Sequence, residues 1–129
     1  MKRSGFQRRR SRRISKTTYW DGIRFDSLIE CERYKELRLL ESAQQIEGLE
    51  PHKEFWLHAP GGQQIGSYTC DAFYYDIKNR TWVVEDTKGD WSRGLTDLFS
   101  WKWRHMKHEY PEYFYNIHKV KSASKRRAA

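Results

Sequence analysis

The sequence predicts an α/β fold, and three observations carry that prediction. Apolar residues recur at helical spacing through the thirties, then give way after Pro51 to extended runs broken by turn-formers. A second helical segment follows, and a last extended run closes the chain. At 129 residues there is room for one domain with a modest core.

Residues 17–25 read as a short extended piece around the Asp21-Gly22 turn. Ser27 opens the first helix, since Ser27-Leu28-Ile29-Glu30 fits the capping-box pattern. Ile29, Tyr34, Leu37 and Leu40 supply its apolar spacing, and it runs to about Gln44, where Gly48 and Pro51 oppose extension. A first strand is expected over Lys53–His58, with Gly61-Gly62 as a hairpin turn. The second strand is Ile65–Tyr75, and the polar stretch Asp76–Arg80 turns the chain into a third, Thr81–Lys88, closed by Gly89. Residues 90–95, with Gly94, form a loop. Leu98–His108 is the second helix, stopped near Pro111, and Phe114–Val120 is the final strand. The order is α-β-β-β-α-β.

Charge is unevenly placed along a chain of net charge +8. The first 16 residues hold eight basic side chains, Arg8, Arg9, Arg10, Arg12 and Arg13 among them, and no acid. Five more basic residues follow from Lys119, leaving residues 17–118 with 12 basic against 17 acidic side chains. The division is thus a disordered basic arm (1–16), a folded domain (17–120) and a basic tail (121–129). Such arms usually contact nucleic acid through its phosphates, conferring affinity without sequence choice, and a nuclear-localisation-like or solubilising segment is the alternative. An acidic centre would repel DNA unless a cation neutralised part of it.

No apolar run approaches the roughly 20 residues that span a bilayer, and no apolar stretch follows the basic start, as a secretory signal requires. No membrane is expected as a partner. Cys31 and Cys70 lack zinc or redox spacing and read as reduced, buried thiols of a cytoplasmic protein.

The chemistry concentrates in the run Trp82-Val83-Val84-Glu85-Asp86-Thr87-Lys88-Gly89. Alternation along a strand puts Asp86 and Lys88 on one face and Glu85 on the other; a bulge would reverse this. Counting outward from Lys78-Asn79, Asp71 and Asp86 lie seven residues back and seven on, opposite each other in an antiparallel hairpin. Two such carboxylates suit a hard cation, Mg²⁺ with Mn²⁺ as substitute, which neutralises phosphate charge and acidifies a water. Lys88 can orient or help deprotonate that water. Glu30, on the first helix, is the best-placed additional ligand, although capping alone also explains it.

These features resemble the PD-(D/E)XK nuclease superfamily, and specifically small phage-type endonucleases related to Holliday-junction resolvases. The resemblance covers about residues 19–120 and rests on Phe25-x-Ser27-x-x-Glu30, Tyr68-x-x-Asp71-x-Phe73 and Val83 through Gly89. It implies a restriction-endonuclease-like αβββαβ core with a mixed central sheet flanked by helices. It further implies that Glu30, Asp71 and Asp86 are metal ligands and Lys88 the catalytic lysine. Cys70 departs from the pattern by standing where the superfamily name has proline. The implied activity is Mg²⁺-dependent, structure-selective cleavage of branched DNA such as a four-way junction, by a homodimer, in host cytoplasm if the source is viral.

Other readings stay open. The same fold supports nicking, flap or single-strand cleavage, and a non-catalytic nucleic-acid-binding module would also use the basic arms and tryptophans. Arg93 and Lys102 are candidate phosphate contacts, with Arg104 and Lys107 near Lys102. Trp91, Trp101 and Trp103 either stack on unpaired bases or fill the core. His105-x-x-His108 has metal-pair spacing but no matching third ligand, so a surface or DNA-facing role is preferred.

Overall fold

The computed structural model describes residues 16–89 and 96–121. Two short strands, β1 (Thr18–Trp20) and β2 (Ile23–Phe25), pair antiparallel around Asp21-Gly22. Both turn residues take positive φ, 55° and 77°, the conformation that makes Asp-Gly a hairpin turn. Helix α1 (Leu28–Ser42) follows, and the Ser27 hydroxyl accepts the Glu30 N–H at 3.3 Å, as the capping pattern predicts.

The remaining elements are β3 (Ile46–Pro51), β4 (Glu54–His58), β5 (Gln64–Thr69), β6 (Ala72–Asp76), β7 (Thr81–Gly89), α2 (Asp97–Glu109) and β8 (Phe114–Val120). Four strands form the main sheet in the order β3-β6-β7-β8. Strand β8 runs parallel to β7 and the other pairs are antiparallel, so the sheet is mixed. Strands β4 and β5 form a separate hairpin. No described helix is long and apolar enough to cross a membrane.

Two sequence expectations need correction. Residues 46–51 are a strand, not a connection. Gly48 and Pro51 do bar a helix there, but an edge strand accommodates both: Gly48 takes φ 67° within the register shift between Glu47 and Glu50, and Pro51 sits at the strand's end. The expected strand Ile65–Tyr75 is broken at Cys70-Asp71. The Cys70 N–H bonds Lys53 O at 3.0 Å and the Asp71 N–H bonds Glu85 O at 3.1 Å. Consecutive amides thus serve different sheets, and the chain passes from the β4–β5 hairpin into the main sheet at that point. Around the main sheet the order is α1-β3-β6-β7-α2-β8. The full succession is β-β-α-β-β-β-β-β-α-β; the expected α-β-β-β-α-β order is found only within the main sheet and its helices, with β3 in the place expected for residues 53–58.

The main sheet separates two apolar layers. On one face Phe73 and Val84 meet Phe55 and Leu57 of the hairpin and Trp103 and Met106 of α2. On the other, Ala72, Tyr74 and Val83 meet Leu37 of α1, and Phe25, Cys31 and Tyr34 extend the packing beneath β1–β2. The α1 face also buries a charge. Glu85 is 0% exposed, and its carboxylate accepts from Arg33 Nε at 2.7 Å, Arg33 Nη2 at 3.1 Å, the Tyr74 hydroxyl at 2.7 Å and Asn116 Nδ2 at 3.2 Å. Burial opposes ionisation of Glu85, but these donors, Arg33 foremost, hold its pKa below the ordinary value. The network ties α1, β6, β7 and β8 together.

Removing one partner of a buried pair strands the other charge, so Arg33→Leu should cost about 3–5 kcal/mol in urea unfolding. A loss below about 1 kcal/mol, the scale of an exposed pair, would show that Glu85 is not held in this way.

Candidate active site

Residue β7 Asp86 follows Glu85 directly and therefore points to the opposite face, toward α2. Alternation alone distinguishes the two carboxylates. Asp86 is 5% exposed, and its Oδ1 accepts the Tyr68 hydroxyl at 3.0 Å. Its Oδ2 lies 2.8 Å from Lys88 Nζ, an ion-pair contact whose angle is not that of a hydrogen bond. Oδ2 is accordingly a buried oxygen with no hydrogen-bond partner. Lys88 shares the face, as predicted, and its ammonium sits 4.1 Å from the ring centre of Phe99 in the first turn of α2.

The β6–β7 register pairs Ala72 with Glu85, and one step further Asp71 stands across from Asp86, as the hairpin count predicts. Asp71 lies at the break between sheets. Its Oδ2 accepts the Thr87 N–H at 2.7 Å, and its carbonyl accepts the His52 N–H at 3.3 Å. Burial, Asp86 and Glu30 push its pKa up to about 8 against the pull of the Thr87 amide and Lys88. Glu30, in the first turn of α1, is also raised, by burial and then by Asp26 and Asp86, with Ser27 and the Asp26 backbone offsetting part of it. The three carboxylates thus share one electrostatic neighbourhood.

They do not form a closed cage. Among the described residues, no three His, Cys, Asp or Glu side chains stand close enough to hold a metal ion. Like charges repel, and each carboxylate takes a local partner: the α1 N-terminus for Glu30, the Thr87 amide for Asp71, and Tyr68 with Lys88 for Asp86. The donor set nonetheless fits a hard cation, being all carboxylate oxygen with one buried oxygen, Asp86 Oδ2, lacking a hydrogen bond.

Other predicted residues fall elsewhere. Lys102 is half-buried on α2, beside the core-facing row of Phe99, Trp103 and Met106. Trp103 is core and Trp101 is 42% exposed. Arg8, Arg9, Arg10, Arg12, Arg13, Trp91 and Arg93 lie outside the described residues. His105 bonds the His58 carbonyl and Glu109, which joins α2 to the β4–β5 hairpin. Sequence reasoning gave no role to Tyr68 or Phe99. Tyr68 was visible as an aromatic three residues before Asp71, but its partner is in another sheet.

A family model described as protein of unknown function (DUF1064) matches residues 10–124. No curated protein and no solved structure matches the chain.

The raised Asp71 pKa fixes the sign of a pH effect. The unfolded side chain loses its proton near 3.8 and the folded one near 8, so between these values the native state binds more protons and rising pH costs stability. Asp71→Asn should therefore gain stability over wild type, by an amount that grows from about pH 4 to about pH 8 and then levels off. Urea midpoints across that range measure it, and a constant difference would contradict the assignment.

Proposed function

We propose that this chain, which belongs to the DUF1064 family of proteins of unknown function, is a divalent-cation-dependent nuclease that hydrolyses DNA phosphodiesters on a restriction-endonuclease-like core. The observation that carries the reading is the buried, unbonded Asp86 Oδ2 beside Lys88, with Asp71 across from it and Glu30 in the same field. The order α1-β3-β6-β7-α2-β8 around a mixed sheet supports it, as does the likeness of Asp71, Asp86-x-Lys88 and Glu30 to the PD-(D/E)XK pattern.

Asp86 and Asp71, with Glu30 adding negative charge, would hold Mg²⁺, or Mn²⁺ in its place. When bound, the cation neutralises phosphate charge and lowers the pKa of a water. The chain's own groups do the rest. Tyr68 fixes Asp86 through Oδ1 and leaves Oδ2 on the side of Lys88. The Thr87 amide holds Asp71 through Oδ2. Lys88, steadied by the Phe99 ring, presents an ammonium that can hold a phosphate oxygen and stabilise the charge developing on it. Basic side chains of the arm would grip phosphates without reading bases. Branched DNA, such as a four-way junction, and a homodimer presenting two sites follow from the resemblance and belong to the same proposal.

A second reading is a nucleic-acid-binding module without catalysis. The eight basic side chains of residues 1–16 and the exposed Trp101 favour it.

Purified protein incubated with junction, flap, single-stranded and linear duplex DNA separates the two. Cleavage in Mg²⁺, absent in EDTA and lost in Asp86→Ala and Lys88→Ala, is the expected result. Persistence of cleavage in Asp86→Ala sinks the site, and no cleavage of any substrate by wild type favours the binding module. The arm is tested separately. With about six phosphate contacts, affinity should fall roughly a thousandfold between about 50 and 200 mM salt. Deleting residues 2–16 should weaken binding and flatten that dependence; an unchanged slope would assign the arm another task.

A further inference from the structure

The outer side of α2 carries an aromatic stripe that the proposed chemistry leaves unused. At 3.6 residues per turn, Leu98, Trp101, His105 and His108 lie along one side of the helix, away from the core row of Phe99, Trp103 and Met106. Leu98 is 63% exposed and Trp101 42%. An exposed tryptophan alone would mean little, but this one is held in a fixed orientation. The His105 ring stacks on it with centroids 5.3 Å apart and planes 20° from parallel. His105 is itself pinned: its Nε2 lies 3.0 Å from the His58 carbonyl and 3.1 Å from Glu109 Oε1. Both are acceptors, so Nε2 carries the proton and donates. Glu109 is clamped in turn by the His58 N–H at 2.9 Å and His58 Nδ1 at 2.6 Å.

At the C-terminal end of the stripe, a cavity of about 430 Å³ opens between α2 and the hairpin, lined by His58, Ala59, Pro60, His105, His108 and Glu109. Lys102 and Arg104 are the immediate neighbours of Trp101 and Trp103 in sequence, and helical spacing puts them on either flank of the stripe. A π-face between cations is the recognition chemistry for unpaired bases on a phosphate backbone. A duplex keeps its bases stacked inside and offers the indole nothing comparable.

We infer that Trp101, backed by His105, is a stacking platform for an unpaired nucleotide, so that the outer side of α2 receives a single-stranded segment. The inference rests on the reading that the substrate is nucleic acid, and it is independent of cleavage.

Fluorescence anisotropy in EDTA tests it with the full chain, a labelled single-stranded oligonucleotide and the blunt duplex of the same sequence. Trp101→Ala should weaken single-strand binding by roughly tenfold or more and duplex binding by no more than about twofold, as the loss of one stacked base requires. Trp101→Phe, which keeps a π-face, should restore most of the single-strand affinity, with unchanged melting of both variants excluding a folding defect. Equal losses on the two DNAs, no loss on either, or a wild type that binds only duplex would overturn the platform. Because EDTA removes catalysis, a protein that cleaves nothing in Mg²⁺ and still shows the Trp101 effect would refute the nuclease and keep the platform.

Discussion

Two adjacent carboxylates, Glu85 and Asp86, are buried on opposite faces of β7, an inner strand of the main sheet. Burying a charge is tolerable only with partners, and the two faces treat the problem differently. Facing α1, Glu85 receives four hydrogen bonds, two of them from Arg33, and is electrically closed. Facing α2, Asp86 has a tyrosine hydroxyl on one oxygen and only an ill-directed ammonium at the other. The Glu85 network fastens α1, β6 and β8 to β7. The orientation of Asp86, Lys88 and the Thr87 amide depends on that strand staying in register.

The rest of the site follows from where the chain changes sheets. At Cys70-Asp71 the backbone leaves the β4–β5 hairpin and enters β6, which sets Asp71 beside the end of β7. The hairpin's last residues bring Tyr68 under Asp86, while α2 lays Phe99 over Lys88. Helix α1 contributes from the other side through its N-terminus, where Glu30 feels Asp86 and Asp71 as like charges. Burial and the neighbouring carboxylates raise the proton affinity of both Glu30 and Asp71, an arrangement more common at sites that act than in ordinary surface structure.

Much of this was legible in the sequence because it depends on short-range rules. Strand parity separated Asp86 from Glu85, turn counting set Asp71 across from Asp86, and Ser27 capped its helix as the pattern required. What was not legible depends on contacts distant in sequence. Strand β3 was hidden because Gly48 and Pro51 signal an interruption, and only edge placement with a register shift makes them acceptable in a strand. The break at Cys70-Asp71 has no Gly or Pro to announce it. Arg33 reads as an exposed helix charge until a sheet residue 52 positions away proves to be its partner. The tie between Tyr68 and Asp86 likewise joins elements of separate sheets.

The division of labour between the paired carboxylates can be measured directly by thermal unfolding of wild type, Glu85→Gln and Asp86→Asn, each with and without Mg²⁺. A cation that binds only the native state raises its melting temperature. If Asp86 is the cation-binding group and Glu85 a structural one, Glu85→Gln melts lower but keeps the Mg²⁺ response, whereas Asp86→Asn loses the response. A response that survives in Asp86→Asn, or that is absent from wild type, would contradict this assignment.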